Sequence, residues 1–163
     1  MKIAKAEFSY IVYSDITSLS VDDCELVDRA RSLTSKAYAP YSGFHVCAVA
    51  KMKDGHFFYG TNQENASFPA GLCAERVLLA TISSSQSPAL IDSIAISYSS
   101  EKVADNYPLA PCGVCRQSLI EYEARFKCSV RLLLSGQAGE IYEIKSVSDL
   151  LPFAFRPVNL LNL

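Results

Sequence analysis

The sequence predicts an α/β domain, a mixed sheet flanked by helices, on three observations. The elements read along the chain run helix, hairpin, helix, strand, helix, strand, strand. Strands separated by single helices require at least one parallel crossover, and two hairpin-like links require antiparallel pairs. The length of 163 residues is that of one domain,. Half of the residues are hydrophobic and one fifth are charged, a composition that builds a sizeable core and excludes a disordered or fibrous chain. No internal repeat, low-complexity segment or linker divides it.

Each element has a local cause. Ala6 to Tyr13 is rich in aromatic and β-branched residues and predicts a strand, with imperfect alternation,. From Val21 to Ala37, Leu26, Val27, Ala30, Leu33 and Ala37 recur at helical spacing, with Ser20 as N-cap and Asp22 and Asp23 in the first turn,. Ala39-Pro40 ends that helix, because a residue before proline is pushed out of the α region,. Phe44 to Lys51 and His56 to Gly60 flank Lys53-Asp54-Gly55, a hairpin signal,. Cys73 to Ser83 reads as a helix, Ile91 to Ser97 as a strand and Gly113 to Phe126 as a second helix,. The Ser-, Asp-, Asn- and Pro-containing stretch from Ser99 to Pro111 is their connection,. Strands at Ser129 to Leu134 and Ile141 to Ile144 surround the turn Gly136-Gln-Ala-Gly139, and a short helix follows near Ser146 to Leu151,.

Charge narrows the function. Fifteen Lys plus Arg against seventeen Asp plus Glu leave a net charge of −2, and no basic stripe carries interleaved aromatics, so nucleic acid is a poor partner. Glu7 and Ser9 stand where the apolar core of a secretory signal would run,. There is no apolar run of about 18 residues to span a membrane. A soluble cytoplasmic protein is expected; six cysteines in a chain this long do not suggest a disulfide framework, and in a reducing compartment clustered thiols more often bind metal, so their spacing decides,.

Cys112 and Cys115 open the second long helix three residues apart, so both thiols reach one ion,. Cys-x-x-Cys alone also fits a redox pair or two buried thiols. Cys73, opening another helix, adds a third thiol, and catalytic zinc sites keep three protein ligands and an open fourth position. Three thiolates on a divalent cation carry a net −1, which both helix N-termini and Arg76, three residues after Cys73, are placed to offset,. Positions i and i+2 do not face each other in a helix, so Cys73 must sit at the helix edge with Glu75 one step inside, over the open coordination position. A carboxylate there moves protons between water and a leaving group; as a plain helix-start acid it would imply no catalysis. Cys24, Cys47, Cys128, His45 and His56 form no second ligand pair and read as ordinary buried or surface residues.

Cys73-Ala-Glu-Arg76 together with Pro111-Cys-Gly-Val-Cys115 resembles the zinc-dependent cytidine deaminases of the small homotetrameric type. Ala37-Tyr-Ala-Pro-Tyr-Ser42 with Phe44 and Val46, Gly60 to Ser67, and Leu150 to Phe155 extend the resemblance over residues 37–155. It implies a three-layer α/β/α fold on a mixed, mostly five-stranded sheet, with residues 1–20 an N-terminal extension and 21–163 one domain. It implies hydrolytic deamination of cytidine and deoxycytidine to uridine and deoxyuridine with release of ammonia, in pyrimidine salvage. Cys73, Cys112 and Cys115 would hold one zinc per subunit, and Glu75 would activate water, protonate N3 and then the departing amine while hydroxide attacks C4. Phe44, Asn62, Glu64, Ala74, Ala110 and Phe155 would contact the substrate: Asn62 and Glu64 at the ribose 3′-hydroxyl, Ala110 through its carbonyl at the amino group, Phe155 in a neighbouring subunit of a homotetramer. Cys47 and Phe68 depart from the family's usual glycine and tyrosine. Without the resemblance, Asn62 and Glu64 read as turn chemistry and Phe44 and Phe155 as core. A deaminase of another amino-pyrimidine, such as a blasticidin-type antibiotic, and a non-enzymatic zinc module with a fourth protein ligand remain the alternatives.

Overall fold

The computed structural model of the chain describes residues 1–85 and 89–160; the last three residues of the expected domain lie outside them. Six strands, β1 (Ile11–Tyr13), β2 (Phe44–Met52), β3 (Phe57–Thr61), β4 (Ile91–Ser100), β5 (Arg131–Leu134) and β6 (Ile141–Ile144), form one sheet in the order β1-β6-β5-β4-β2-β3. Three helices, α1 (Val21–Leu33), α2 (Ala74–Ser84) and α3 (Gly113–Phe126), complete it. Among the described residues only the strands β4 and β5, joined through α3, run parallel, and the other strand pairs are antiparallel. The fold is the expected α/β mixed sheet between helices.

The strand count is six rather than five because Ile11–Tyr13, ahead of α1, adds β1 to the free edge of β6. The added strand is shorter than Ala6 to Tyr13, since β6 is four residues long and offers partners only to Ile11, Val12 and Tyr13. Tyr13 anchors it: its hydroxyl donates to Glu143 Oε2 at 2.7 Å. Glu143 lies 3.5 Å from Arg131, which in turn grips Asp23 of α1 through both terminal nitrogens, at 3.0 and 2.6 Å.

Helix α1 starts where Ser20 Oγ accepts the Asp23 amide, as expected of an N-cap,. It stops four residues short of Ala37, and residues 34–36 tighten into a 3-10 turn. The hydroxyls of Thr34 and Ser35 donate back to the Arg31 and Ser32 carbonyls, a local bonding that competes with regular helix. The β2–β3 hairpin turns at Gly55, whose φ of +88° suits glycine,.

Strand β2 is buried on both faces, which is why it reads as an apolar run rather than an alternation,. Cys47 and Val49 join Leu26, Val27 and Ala30 of α1 in one core. Ala48 and Ala50 face the other core, shared with Leu78 of α2 and Leu119 and Ile120 of α3. The sheet is thus the middle of three layers. A Cβ on Gly60 would come within 2.5 Å of the Ala74 carbonyl oxygen and 2.3 Å of the Leu78 nitrogen, so the bare backbone of β3 sets how closely α2 lies on the sheet.

Candidate metal and catalytic centre

The loop after β3 doubles back, with Gln63 and Leu72 exchanging both backbone hydrogen bonds at 2.9 Å, and so delivers Cys73 to the start of α2. Cys73 is the N-cap of α2 and Cys112 the N-cap of α3, both in extended conformation. Cys115 follows in the first turn of α3 and is fully buried. Two helices therefore aim their N-terminal ends at one point, where free N–H groups and the positive dipole end favour anionic sulfur.

The three sulfurs lie within 4.8 Å of one another. Cys73 to Cys112 is 3.8 Å and Cys112 to Cys115 is 3.5 Å. Ligands 2.3 Å from a tetrahedral zinc sit about 3.8 Å apart, so the triangle has the size of a zinc face. Its electrostatics agree. Burial pushes the Cys73 thiol up, and the neighbouring Cys112 and Glu75 push it further. Cys115 is pushed up by burial first and by Glu75 next. For Cys112 burial acts upward too, but the N–H groups of Cys115 and Val114 and the adjacent thiols outweigh it and hold the thiol low. Three sulfurs that resist ionising together are relieved by a divalent cation. The group holds no fourth His, Cys, Asp or Glu among the described residues, which matches the open position of a catalytic site.

Glu75, in the first turn of α2, is 5% exposed. Burial raises its carboxyl above the usual range, against the opposing pull of its own backbone N–H and the Cys115 thiol. It lines a cavity of about 450 Å³ together with Phe44, Asn62, Glu64, Cys73, Ala74, Ala110 and Cys112. Eight of the residues singled out from sequence are thus brought to one cleft. Phe44 stacks on Tyr98 with ring centroids 4.8 Å apart. Asn62 ties the start of β2 to the end of β3, accepting from the Val46 amide at 2.7 Å and donating to the Phe44 carbonyl at 2.8 Å. Glu64 accepts from the Ser42 hydroxyl and from the amides of Tyr41 and Ser42, the latter two at 2.8 and 3.3 Å. The Ser42 hydroxyl first, then these amides, hold its carboxyl below the usual range.

Cys115 lies outside the residues lining the cleft, buried behind Cys112. Phe155 and Arg76 are elsewhere. Phe155 is 57% exposed, its carbonyl accepting from Gln117 Nε2 at 2.7 Å. Arg76 lines a shallow depression with Leu79, Ala80, Ser83, Ser118 and Glu121. Leu109, Leu72 and Val46 also line the cleft; Leu109, two residues before Pro111, went unnoticed because an apolar loop residue carries no chemical signal of its own. Cys24 donates to the Ile16 carbonyl, Cys47 is buried in the α1 core with its thiol pushed up to about 12, and His56 sits exposed beside Asp54 in the hairpin turn.

Residues 20–129 match the family model described as the cytidine and deoxycytidylate deaminase zinc-binding region. The cytidine deaminase of Halalkalibacterium halodurans is 40% identical over 131 residues, covering 80% of this chain and 91% of the relative. That of Mycoplasma pneumoniae is 37% identical over 94 residues, covering 58% of this chain and 67% of the relative. Among solved structures, cytidine deaminase from Burkholderia pseudomallei is similar with a TM-score of 0.70 at 37% identity, covering 80% of this chain and 97% of that one. The Mycobacterium tuberculosis enzyme follows with a TM-score of 0.63 at 29% identity, covering 83% and 98%.

Proposed function

This chain belongs to the cytidine and deoxycytidylate deaminase family, and from that premise we propose that it converts cytidine and deoxycytidine to uridine and deoxyuridine with release of ammonia. The observation that carries the proposal is the buried carboxyl of Glu75 at a cleft walled by Cys73 and Cys112. Cys73, Cys112 and Cys115 are the residues that would hold zinc, which supplies Lewis acidity and lowers the cost of ionising water. Glu75 takes the proton of the attacking water and passes it to N3 of the pyrimidine. A C4–O bond forms; Glu75 then takes the proton of the new C4 hydroxyl and gives it to the exocyclic nitrogen, so that C4 becomes a carbonyl as the C4–N bond breaks and ammonia leaves. A carboxyl raised by burial suits both halves, because it takes and gives protons closer to neutral pH,.

The chain's remaining groups orient the substrate. The Ala110 carbonyl faces the amino group. The side chain of Ala74 is buried in the core, so its contribution is the backbone amide at the start of α2. Asn62 has one amide N–H and one oxygen lone pair left after its two backbone bonds,, and with ionised Glu64 it reads the ribose 3′-hydroxyl. Both side chains are half-buried at the cleft, and polar groups placed to pair with a ligand hydroxyl favour a ligand that carries it, which favours a nucleoside over another amino-pyrimidine. Arg76 lies outside the cleft, and its charge, carried on α2 three residues after Cys73, offsets thiolate charge at a distance rather than by contact. Phe155 enters the cleft of a neighbouring subunit in a homotetramer; the exposure of Phe153 and Phe155, 96% and 57%, supports a role outside their own subunit. The enzyme serves pyrimidine salvage in the cytoplasm; no helix among the described residues is long and apolar enough to cross a membrane.

The test is the ultraviolet absorbance of cytidine incubated with purified protein, beside Glu75→Ala, with zinc assayed in both. Loss of the cytidine band in the unsubstituted protein, and a fall of roughly 10²–10⁴-fold in the variant at equal zinc, is the expected result. No change with zinc bound redirects the search to other amino-bearing heterocycles.

A further inference from the structure

The segment after β6 is strapped to α3 by side chains of that helix. Glu123 accepts from the Ser146 hydroxyl at 3.0 Å, the Val147 amide at 3.2 Å and the Ser148 hydroxyl at 2.7 Å. Gln117 holds the Phe155 carbonyl. Between these, Arg116 divides its guanidinium: Nε donates to the Pro111 carbonyl at 2.8 Å and Nη1 to the Leu150 carbonyl at 3.1 Å. One rigid plane therefore joins the peptide that enters Cys112 to the strap that ends in Phe155. Arg116 also stands in the first turn of α3, where a cation opposes the helix dipole. Helix stability gives no reason for a cation there.

We propose that Arg116 is a positioning residue for the metal site: its fork fixes the Pro111–Cys112 peptide and couples the aim of the Cys112 sulfur to the seating of residues 147–155. The inference rests on the assignment of Cys73, Cys112 and Cys115 as zinc ligands. Arginine is required rather than any cation. Its donors leave a planar group in fixed directions, whereas a lysine ammonium on a flexible stem is a point charge that reaches one carbonyl without fixing the other. Partners of this kind, one bond removed from a ligand, typically govern metal affinity and activity by 10–100-fold.

The experiment compares unsubstituted protein with Arg116→Ala and Arg116→Lys. Three quantities are read: the rate of zinc loss to a colorimetric chelator, the sulfur-to-metal charge-transfer band of the cobalt(II)-loaded protein, and kcat and KM for cytidine. Both variants are expected to lose zinc about tenfold faster or more and to shift or weaken the cobalt band. Their kcat should fall while KM stays within a few-fold, and lysine should not rescue. Should Arg116→Ala fail to fold, the lysine variant decides. Variants that melt earlier yet keep the zinc-loss rate and cobalt band of the parent would overturn the proposal, as would full rescue by lysine. An absent cobalt band in the unsubstituted protein would overturn the ligand assignment and this inference with it; a normal band without cytidine turnover would overturn the proposed substrate alone.

Discussion

Glu75 and Cys73 occupy their places through a single residue of offset. Because Cys73 is the N-cap of α2 rather than a helical residue, its sulfur leaves the helix axis while Glu75 turns inward. That relation was legible in the sequence, since i and i+2 share no helical face. The backbone duties of Asn62 and the fork of Arg116 were not. Their partners are carbonyls and amides of residues up to 34 positions away, and a main-chain atom leaves no mark on the residue type that carries it. Arg76 is the residue-scale prediction. Arg76→Ala should retain the fold, as judged by its far-ultraviolet circular dichroism, and lower kcat/KM for cytidine by roughly 10-fold through poorer balance of thiolate charge. Unchanged activity and zinc content would reduce it to a residue of the depression it shares with Ser118 and Glu121.

At the scale of elements, periodicity, composition and the Asp-Gly turn located α1, α2, α3 and strands β2 to β6, and local chemistry corrected their ends. The last turn of α1 gave way to hydroxyl back-bonding, and β1 was cut to the length of its partner. Gly60 was unreadable as a packing site because the constraint comes from α2, distant in sequence until the sheet forms. Gly60→Ala should push α2 off β3 and cost about 3 kcal/mol or more, measured by urea unfolding, with a loss of activity larger than its loss of fold at low denaturant. The Asp23–Arg131 pair makes an acid prediction. Burial pushes the Asp23 carboxyl up, but the Arg131 guanidinium and the Ser20 hydroxyl outweigh it and hold it low. Its stabilisation is therefore present above the unfolded carboxyl value of about 3.9 and lost as pH falls through the lower folded value. Urea midpoints between pH 5 and 2 should fall more steeply for the parent than for Arg131→Met; parallel curves would mean the pair contributes nothing.

For the whole molecule, the mixed character of the sheet followed from connection rules, while its strand order and the addition of β1 did not, since an edge strand is recruited by whatever edge is left free,. The proposed homotetramer belongs to this scale. Sedimentation should give a species four times the chain mass, and Phe155→Ala should keep that mass while lowering kcat/KM. Fully active monomers would remove Phe155 from the neighbouring cleft.

The two N-caps have a last consequence, for chain topology. Cys73 and Cys112 lie 39 residues apart and start different helices, and α2 and α3 share few direct contacts. An ion gripped by both is a cross-link that closes the whole segment carrying α2 and β4 into a ring. Closing a ring of about 40 residues withdraws about 4 kcal/mol of freedom from the unfolded chain. Chelation should therefore lower the thermal midpoint by roughly 10 °C, read by circular dichroism with and without chelator, and the shift should vanish in Cys73→Ala. The ion that serves the chemistry would then also be the clasp that keeps two weakly acquainted helices together.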